Sequence, residues 1–191
     1  KSKGLHMRLR SRAFALESTC DGKNIVFVSA DLGMIFQAVK MEVIKRLKRE
    51  FGQRYNEQNV ILTATHTHSG SGGFSHYRLY NLTIGGFKSE VFYPIVEGIV
   101  SSIRKAHFAK KAGTIELAIG ELKEASFNRS IEAYENNPTR ERDAYSASVD
   151  ETMTLLKFVG HDGKAIGLVN WFAVHPRSEE HTSELQSPDH L

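Results

Sequence analysis

Cysteine, long apolar runs and clustered charge are all scarce in this chain of 191 residues. The single cysteine, Cys20, excludes an internal disulfide and leaves the redox compartment of the protein open. No apolar run approaches the roughly 20 residues that a membrane-spanning helix needs. The formal net charge is only +3, and the basic residues are scattered along the sequence, so nucleic-acid binding has little support.

The composition is otherwise that of a globular domain large enough to form its own hydrophobic core. Apolar residues make up 40% of the chain and charged residues 25%, which are ordinary proportions for globular proteins. The chain opens on Lys1-Ser2-Lys3-Gly4, without an initiator methionine or the apolar core of a signal peptide. If the protein is exported, we expect its signal to have lain upstream of this start.

The segment 177–191 differs abruptly from the sequence before it. It has neither helical nor strand periodicity, although it follows a strongly apolar stretch. Residues 177–187 read like the in-frame translation of a common sequencing adapter, so we interpret 177–191 as an artefactual tail and expect it to be disordered. Its histidines, His181 and His190, are therefore not candidate ligands, and we expect the natural part of the domain to be residues 1–176.

The periodicity of the apolar residues predicts alternating strands and helices. The β-branched run 25–30 is typical of a buried strand, and 35–51 has the spacing of an amphipathic helix that ends at Gly52. A strand over 60–65 then completes a β-α-β unit, which should be parallel with a right-handed crossover. We therefore predict an α/β fold, a mixed β-sheet with flanking helices. The remaining predicted elements are an edge strand over 8–17, a helix over 89–108, and strands over 114–120, 152–159 and 165–174.

The most informative motif is a pair of histidines at the end of the strand predicted over 60–65. His66 and His68 are followed by the glycine-rich segment 69–73. On an extended backbone, residues i and i+2 point to the same face, so we expect both imidazoles to reach one metal ion, or one to bind metal while the other serves the chemistry. The glycines would let backbone N–H groups approach a ligand closely. Surface or core histidines are the plainer alternative.

A third histidine, His175, follows the apolar run 167–174, and Pro176 after it favours an extended backbone. Histidines at the ends of two strands of one sheet could converge on a single zinc ion. A histidine whose ring is satisfied by a backbone carbonyl in the core is the alternative interpretation. The pattern makes His175 a candidate zinc ligand without deciding between the two.

Other polar and aromatic residues near the predicted strand ends are weaker candidates. Asp31 ends the strand over 25–30 and could either orient a ligand histidine or cap the following helix. Arg129 is flanked by short polar residues and could bind an anionic or carbonyl oxygen, although most arginines simply face solvent. His76, Tyr77 and Tyr80 follow the glycine loop and could line a substrate entrance or merely pack the loop.

Taken together in order, these segments resemble the neutral ceramidase family. The resemblance spans almost all of residues 4–176, and it departs from the family's usual loop at Ser71, where the family has proline. The ordered set is specific, although each piece alone would be weak. The segments that carry it are VSADLGM at 28–34, THTHSGSGG at 65–73, YNLT at 80–83, NRS at 128–130 and WFAVHP at 171–176.

The resemblance implies a zinc-dependent amidohydrolase that cleaves the N-acyl bond of ceramide. It implies that His66 and His175 are zinc ligands, that His68 is a catalytic histidine beside the metal, and that Arg129 is an active-site arginine. The family's remaining zinc ligands, a glutamate and a tyrosine, and its active-site serine lie farther along the chain. The resemblance therefore implies a truncated catalytic domain with part of an active site.

The partners implied by the resemblance are a ceramide-type lipid and, transiently, a membrane surface. Family members are mostly secreted or displayed at the cell surface, so we expect the same of the intact protein. Two other functions remain open. One is a zinc hydrolase that acts on another acyl amide or ester, and the other is a non-catalytic metal-binding or lipid-binding module.

Overall fold

The computed structural model describes residues 7–175, which fall into two compact units, residues 7–110 and residues 111–175. The expected artefactual tail at 177–191 lies outside the described residues. None of the helices within 7–175 is both long and apolar enough to cross a membrane.

The first unit contains a three-stranded sheet in the order β1-β2-β3. β1 pairs antiparallel with β2, whereas β2 and β3 are parallel and are joined through α1. The predicted β-α-β unit and the predicted mixed sheet with flanking helices are therefore confirmed. The elements of this unit are β1 (Ser11–Glu17), β2 (Asn24–Ala30), α1 (Gln37–Phe51), β3 (Val60–Ala64), α2 (Arg78–Asn81) and α3 (Ser89–Phe108), with 3-10 turns at Gly52–Arg54 and Leu82–Ile84.

The core of the first unit lies between this sheet and the helices α1 and α3. Helix α1 buries its apolar stripe, including Leu47, because residues three and four apart share one face of a helix. It ends at Gly52, whose φ of 61° few other residues adopt easily. Helix α3 occupies the predicted residues and buries Ile103 completely. This packing fixes the ends of β2 and β3, where the candidate site lies.

The second unit is built on an antiparallel sheet in the order β4-β5-β6. The hairpin between β5 and β6 turns at Asp162-Gly163, as that dipeptide predicts, with Gly163 at a φ of 76°. Since β3 and β6 belong to different sheets, the expectation that their histidines end strands of one sheet is wrong. The elements of this unit are β4 (Gly113–Glu121), α4 (Ile131–Glu135), α5 (Thr139–Arg142), β5 (Thr152–Gly160) and β6 (Ala165–Phe172).

Candidate metal centre

The histidine pair lies where β3 leaves the sheet, but its backbone is not extended. β3 ends at Ala64, and His66 has a φ of 64°, in the left-handed region that non-glycine residues rarely occupy. The expectation that His66 and His68 share the face of an extended strand is therefore wrong. A turn of the chain, rather than strand alternation, sets the directions of the two side chains.

This turn nevertheless brings the two imidazoles together. The ring centroids of His66 and His68 lie 4.8 Å apart with the rings nearly perpendicular, at 86°. Their candidate ligand nitrogens are also within 4.8 Å of each other. Two nitrogens bound to one tetrahedral zinc ion lie about 3.3 Å apart, given Zn–N distances of about 2.0–2.1 Å. The pair can therefore contribute to one metal site, or place one imidazole beside a metal held by the other.

The ring of His66 is oriented by the main chain at the end of the neighbouring strand β2. Its Nδ1 atom donates a hydrogen bond to the carbonyl oxygen of Gly33 at 2.6 Å. Because a carbonyl oxygen only accepts, Nδ1 must carry the proton, and in a neutral imidazole Nε2 then has the lone pair that binds metal. A ligand histidine commonly has such a hydrogen bond on its other nitrogen. The half-buried His66 thus has the tautomer in which Nε2 can bind a metal ion.

Asp31 plays neither of the roles considered for it from the sequence. Its two carboxylate oxygens accept hydrogen bonds from the guanidinium of Arg12 and from the backbone N–H of Arg10, both at 2.8 Å. Helix α1 begins after Phe36 without a side-chain cap. Asp31 therefore ties β1 to the end of β2, and the backbone carbonyl of Gly33 orients the histidine instead.

The glycine-rich loop after His68 is held tightly against the segment that follows it. A Cβ atom at Gly72 would lie 2.3 Å from the Cδ1 atom of Ile84, and one at Gly73 would lie 2.7 Å from the Cγ atom of Lys88. Gly73 also has a φ of 90°, and its carbonyl accepts a hydrogen bond from the N–H of Lys88 at 2.8 Å. These glycines thus let the backbone approach the side chains of Ile84 and Lys88 closely, whereas the sequence predicts a close approach to a ligand.

A mostly apolar cavity of about 160 Å³ opens between this loop and the end of β2. Thr67, which separates the two histidines, is part of its wall, so the cavity adjoins the candidate metal centre. Tyr80 lines it, in accord with one of the two alternatives for that residue. His76 and Tyr77 do not line it, and their ring centroids lie 3.9 Å apart with the rings tilted by 39°. The remaining wall is formed by residues 32–34, Phe36, residues 70–75, Asn81 and Ile84.

The other two site residues predicted from the sequence belong to the second unit. His175 is exposed and follows β6, which ends at Phe172. Arg129 is exposed on the loop between β4 and α4, where the side chain of Asn128 accepts a hydrogen bond from the backbone N–H of Ser130. The structure brings His66 and His68 together, while the roles of His175 and Arg129 remain predictions.

Sequence reasoning missed two residues of the first unit that shape the site. Gly33 acts through its carbonyl oxygen, for which a side-chain pattern gives no signal. Asn81 is 5% exposed, and its Nδ2 atom donates a hydrogen bond to the carbonyl of Ser75 at 2.6 Å, which fastens the end of the glycine loop. Asn81 belongs to the YNLT segment at 80–83, but that segment does not indicate a structural role for the asparagine.

The fold and the histidine pair define an α/β unit with a candidate imidazole metal centre at the carboxyl ends of parallel strands. Comparison with known proteins gives the family. The sequence profile for neutral/alkaline non-lysosomal ceramidase, N-terminal, matches residues 1–191. The chain belongs to this family.

Known relatives agree with this assignment. The chain is 44% identical over 189 residues to the neutral ceramidase of Pseudomonas aeruginosa, covering 99% of this chain and 28% of the relative. It is 46% identical over 186 residues to neutral ceramidase 1 of Arabidopsis thaliana, covering 97% of this chain and 24% of the relative. The crystal structure of the Pseudomonas aeruginosa neutral ceramidase matches 90% of this chain with a TM-score of 0.85 and 46% identity, over 27% of that chain. The chain thus spans about a quarter of the length of these relatives.

Proposed function

We propose that this chain supplies part of the active site of a zinc-dependent amidohydrolase that cleaves the N-acyl bond of ceramide, releasing sphingosine and a fatty acid. The observation that carries the proposal is the hydrogen bond from Nδ1 of His66 to the carbonyl of Gly33. It presents Nε2 as a ligand atom beside a second imidazole, that of His68. This donor set fits zinc, which imidazole nitrogens bind well.

In this proposal His66 and His175 hold the metal. Zinc bound there would polarise the amide carbonyl and lower the pKa of a water molecule. His68, whose ring lies beside that of His66, would accept or return a proton at an imidazole nitrogen. The guanidinium of Arg129 would bind an oxygen of the substrate that carries negative charge.

In this proposal His66 and His175 supply two ligands, whereas a catalytic zinc site typically has three protein ligands and an open position. The relatives are about four times as long, so further donors can come from sequence that this chain does not match. We therefore expect the isolated chain to bind zinc weakly and to be inactive towards ceramide. A stoichiometric, tightly bound zinc ion in the isolated chain would contradict this expectation.

The proposed substrate also suggests where the enzyme works. Ceramide is almost wholly apolar and resides in bilayers, so the intact enzyme would take its substrate transiently from a membrane surface. We propose that the intact protein is secreted or displayed at the cell surface, where such bilayers are accessible.

A direct test uses a chain extended to the length of the relatives. Release of fatty acid from ceramide should be lost after chelation, restored by zinc, and abolished by His66→Ala, whereas the matched variant His161→Ala on the exposed β5–β6 turn should remain active. Cleavage of an acyl ester without release of fatty acid from ceramide would instead identify a hydrolase of different substrate class. Zinc binding without turnover of either substrate would indicate a non-catalytic metal-binding module.

A further inference from the structure

The segment 77–87, which follows the glycine loop, exposes six large apolar side chains. We propose that this segment, here called the apolar ridge, is the surface with which the protein docks on a lipid bilayer. Isolated apolar residues are common on protein surfaces, whereas a contiguous group marks an interaction site. The inference rests on the proposed function, since it identifies the part of the chain that meets the lipid. The exposed fractions are Tyr77 49%, Leu79 76%, Tyr80 52%, Leu82 61%, Ile84 39% and Phe87 48%.

The apolar ridge is fixed to the body of the first unit. Asn81 is buried and hydrogen-bonded to the carbonyl of Ser75. The ring of Tyr80 packs edge-on against that of Phe36, with centroids 5.3 Å apart. Tyr80 and Asn81 thus hold the backbone of this short helical stretch in place. Leu79 and Leu82, on either side of them, remain exposed.

Charge favours a lipid surface over a second copy of the chain. No aspartate or glutamate occurs from residue 58 to residue 89, while Arg78 lies within the apolar ridge and Lys88 directly follows it. Neither cation forms a salt bridge within residues 7–175. Two copies related by a two-fold axis would bring these like charges together, whereas anionic headgroups would neutralise them. Tyrosine side chains also suit the boundary between acyl chains and water.

The position of the apolar ridge fits the route that a lipid substrate would take. Tyr80 and Ile84 belong both to the ridge and to the wall of the cavity that adjoins Thr67. A lipid leaving the bilayer at the ridge would therefore meet an apolar cavity next to the histidine pair. Docking would replace a step through water, in which ceramide is nearly insoluble, by transfer along a continuous apolar surface.

Vesicle flotation of the 191-residue chain tests the proposal without any enzymatic step. Binding is measured on vesicles of phosphatidylcholine with phosphatidylserine, with a chelator present and no ceramide. The double variant Leu79→Ser/Leu82→Ser should lower vesicle affinity at least about tenfold, because two apolar side chains lose their transfer into the interface. The matched control is Met41→Ser on helix α1, 63% exposed, which should change affinity less than about twofold.

A fluorescent label reports which side chains enter the lipid. In a Cys20→Ser background, an environment-sensitive dye on Leu82→Cys should shift to the blue when vesicles are added, while the same dye on Met41→Cys should not. The proposal is overturned if the unsubstituted chain does not bind vesicles, or if the serine pair and the control lose affinity equally. It is also overturned if the Leu79→Ser/Leu82→Ser variant leaves vesicle affinity unchanged and only converts a dimer into a monomer on gel filtration.

These measurements separate the docking surface from the chemistry. Vesicle binding in chelator depends on neither zinc nor turnover, so its failure would leave ceramide hydrolysis by the extended chain standing. Conversely, an extended chain that binds vesicles through the apolar ridge but releases no fatty acid from ceramide would overturn the proposed function alone.

Discussion

The imidazole of His66 and the main-chain carbonyl of Gly33 are joined by a hydrogen bond of 2.6 Å across the ends of two parallel strands. The bond requires the turn that gives His66 its positive φ. It also fixes which ring nitrogen carries the proton, and this leaves Nε2 as the ligand atom. Backbone geometry and metal chemistry at this site are therefore linked through one residue.

The first prediction separates the roles of the two histidines. We expect His66→Ala to lower the zinc affinity of the chain at least about tenfold, since a ligand is lost, and His68→Ala to lower it less than about threefold, since His68 is proposed to act beside the metal. Competition with a chromophoric chelator measures both, with His161→Ala as control. Equal losses for the two variants would make His68 a ligand as well.

The second prediction concerns the left-handed backbone at His66. Asparagine tolerates positive φ, whereas β-branched valine is strained there, so His66→Val should be less stable than His66→Asn by about 1–2 kcal/mol. Both variants lose the imidazole, and the difference in their free energies of unfolding in urea isolates the backbone. The same two substitutions at His68, which has no positive φ, should differ by less than about 0.5 kcal/mol. A difference at His68 as large as that at His66 would refute the backbone explanation.

Most of the secondary structure could be predicted from the sequence because its signals are local. Helix α3 has the predicted bounds, Ser89–Phe108, since its apolar residues repeat at helical spacing. The division into two sheets could not be predicted. The Asp162-Gly163 turn indicates that the strands predicted over 152–159 and 165–174 pair with each other. No local signal shows whether these strands and the one predicted over 114–120 join the sheet of the β-α-β unit.

The sequence identifies the side chains that form the candidate site, but it does not predict the backbone conformation that orients them. His66 and His68 are recognisable as chemistry-bearing residues, whereas a positive φ in a non-glycine residue leaves no pattern in the sequence. The ion pair of Asp31 was easier to predict. An antiparallel β1–β2 pair places Arg12 opposite Ser29, two residues before Asp31. A charged partner across a strand pair competes with any role in orienting a histidine.

The third prediction concerns the carboxylate of Glu17, at the end of β1. Hydrogen bonds from Lys110 and Arg54 lower the pKa of Glu17 to about 2. A carboxyl with a lowered folded-state pKa stabilises the fold above its unfolded pKa of about 4.5, and this contribution is lost as pH falls towards 2. Glu17→Gln should therefore reduce stability at neutral pH, and its difference from the unsubstituted chain should shrink as pH falls from about 4.5 to 2.

Urea unfolding of the Glu17→Gln variant across this pH range is the measurement. The matched control is Glu116→Gln, which removes an exposed carboxylate that lies 3.3 Å from Lys157. It should change stability little at any pH, as exposed ion pairs usually contribute little. A destabilisation by Glu17→Gln that stays constant down to pH 2 would show that the effect is not electrostatic.

The fourth prediction concerns Asn81, which fastens the apolar ridge to the glycine loop. Its Nδ2 atom donates to the carbonyl of Ser75, while its Oδ1 atom is buried without a hydrogen-bond partner among the described residues. Asn81→Ala should cost about 1 kcal/mol, because the lost hydrogen bond is partly offset by removal of the unsatisfied acceptor.

Asn81→Asp should cost more, about 3 kcal/mol, because it replaces the donor with a buried carboxylate oxygen facing the carbonyl of Ser75. The order of the two variants in urea unfolding is therefore diagnostic, and the aspartate variant should recover stability in acid, where protonation restores a donor. If Asn81→Ala proved the more destabilising of the two, the hydrogen bond to Ser75 could not be what holds the loop, and packing of the side chain would have to do so.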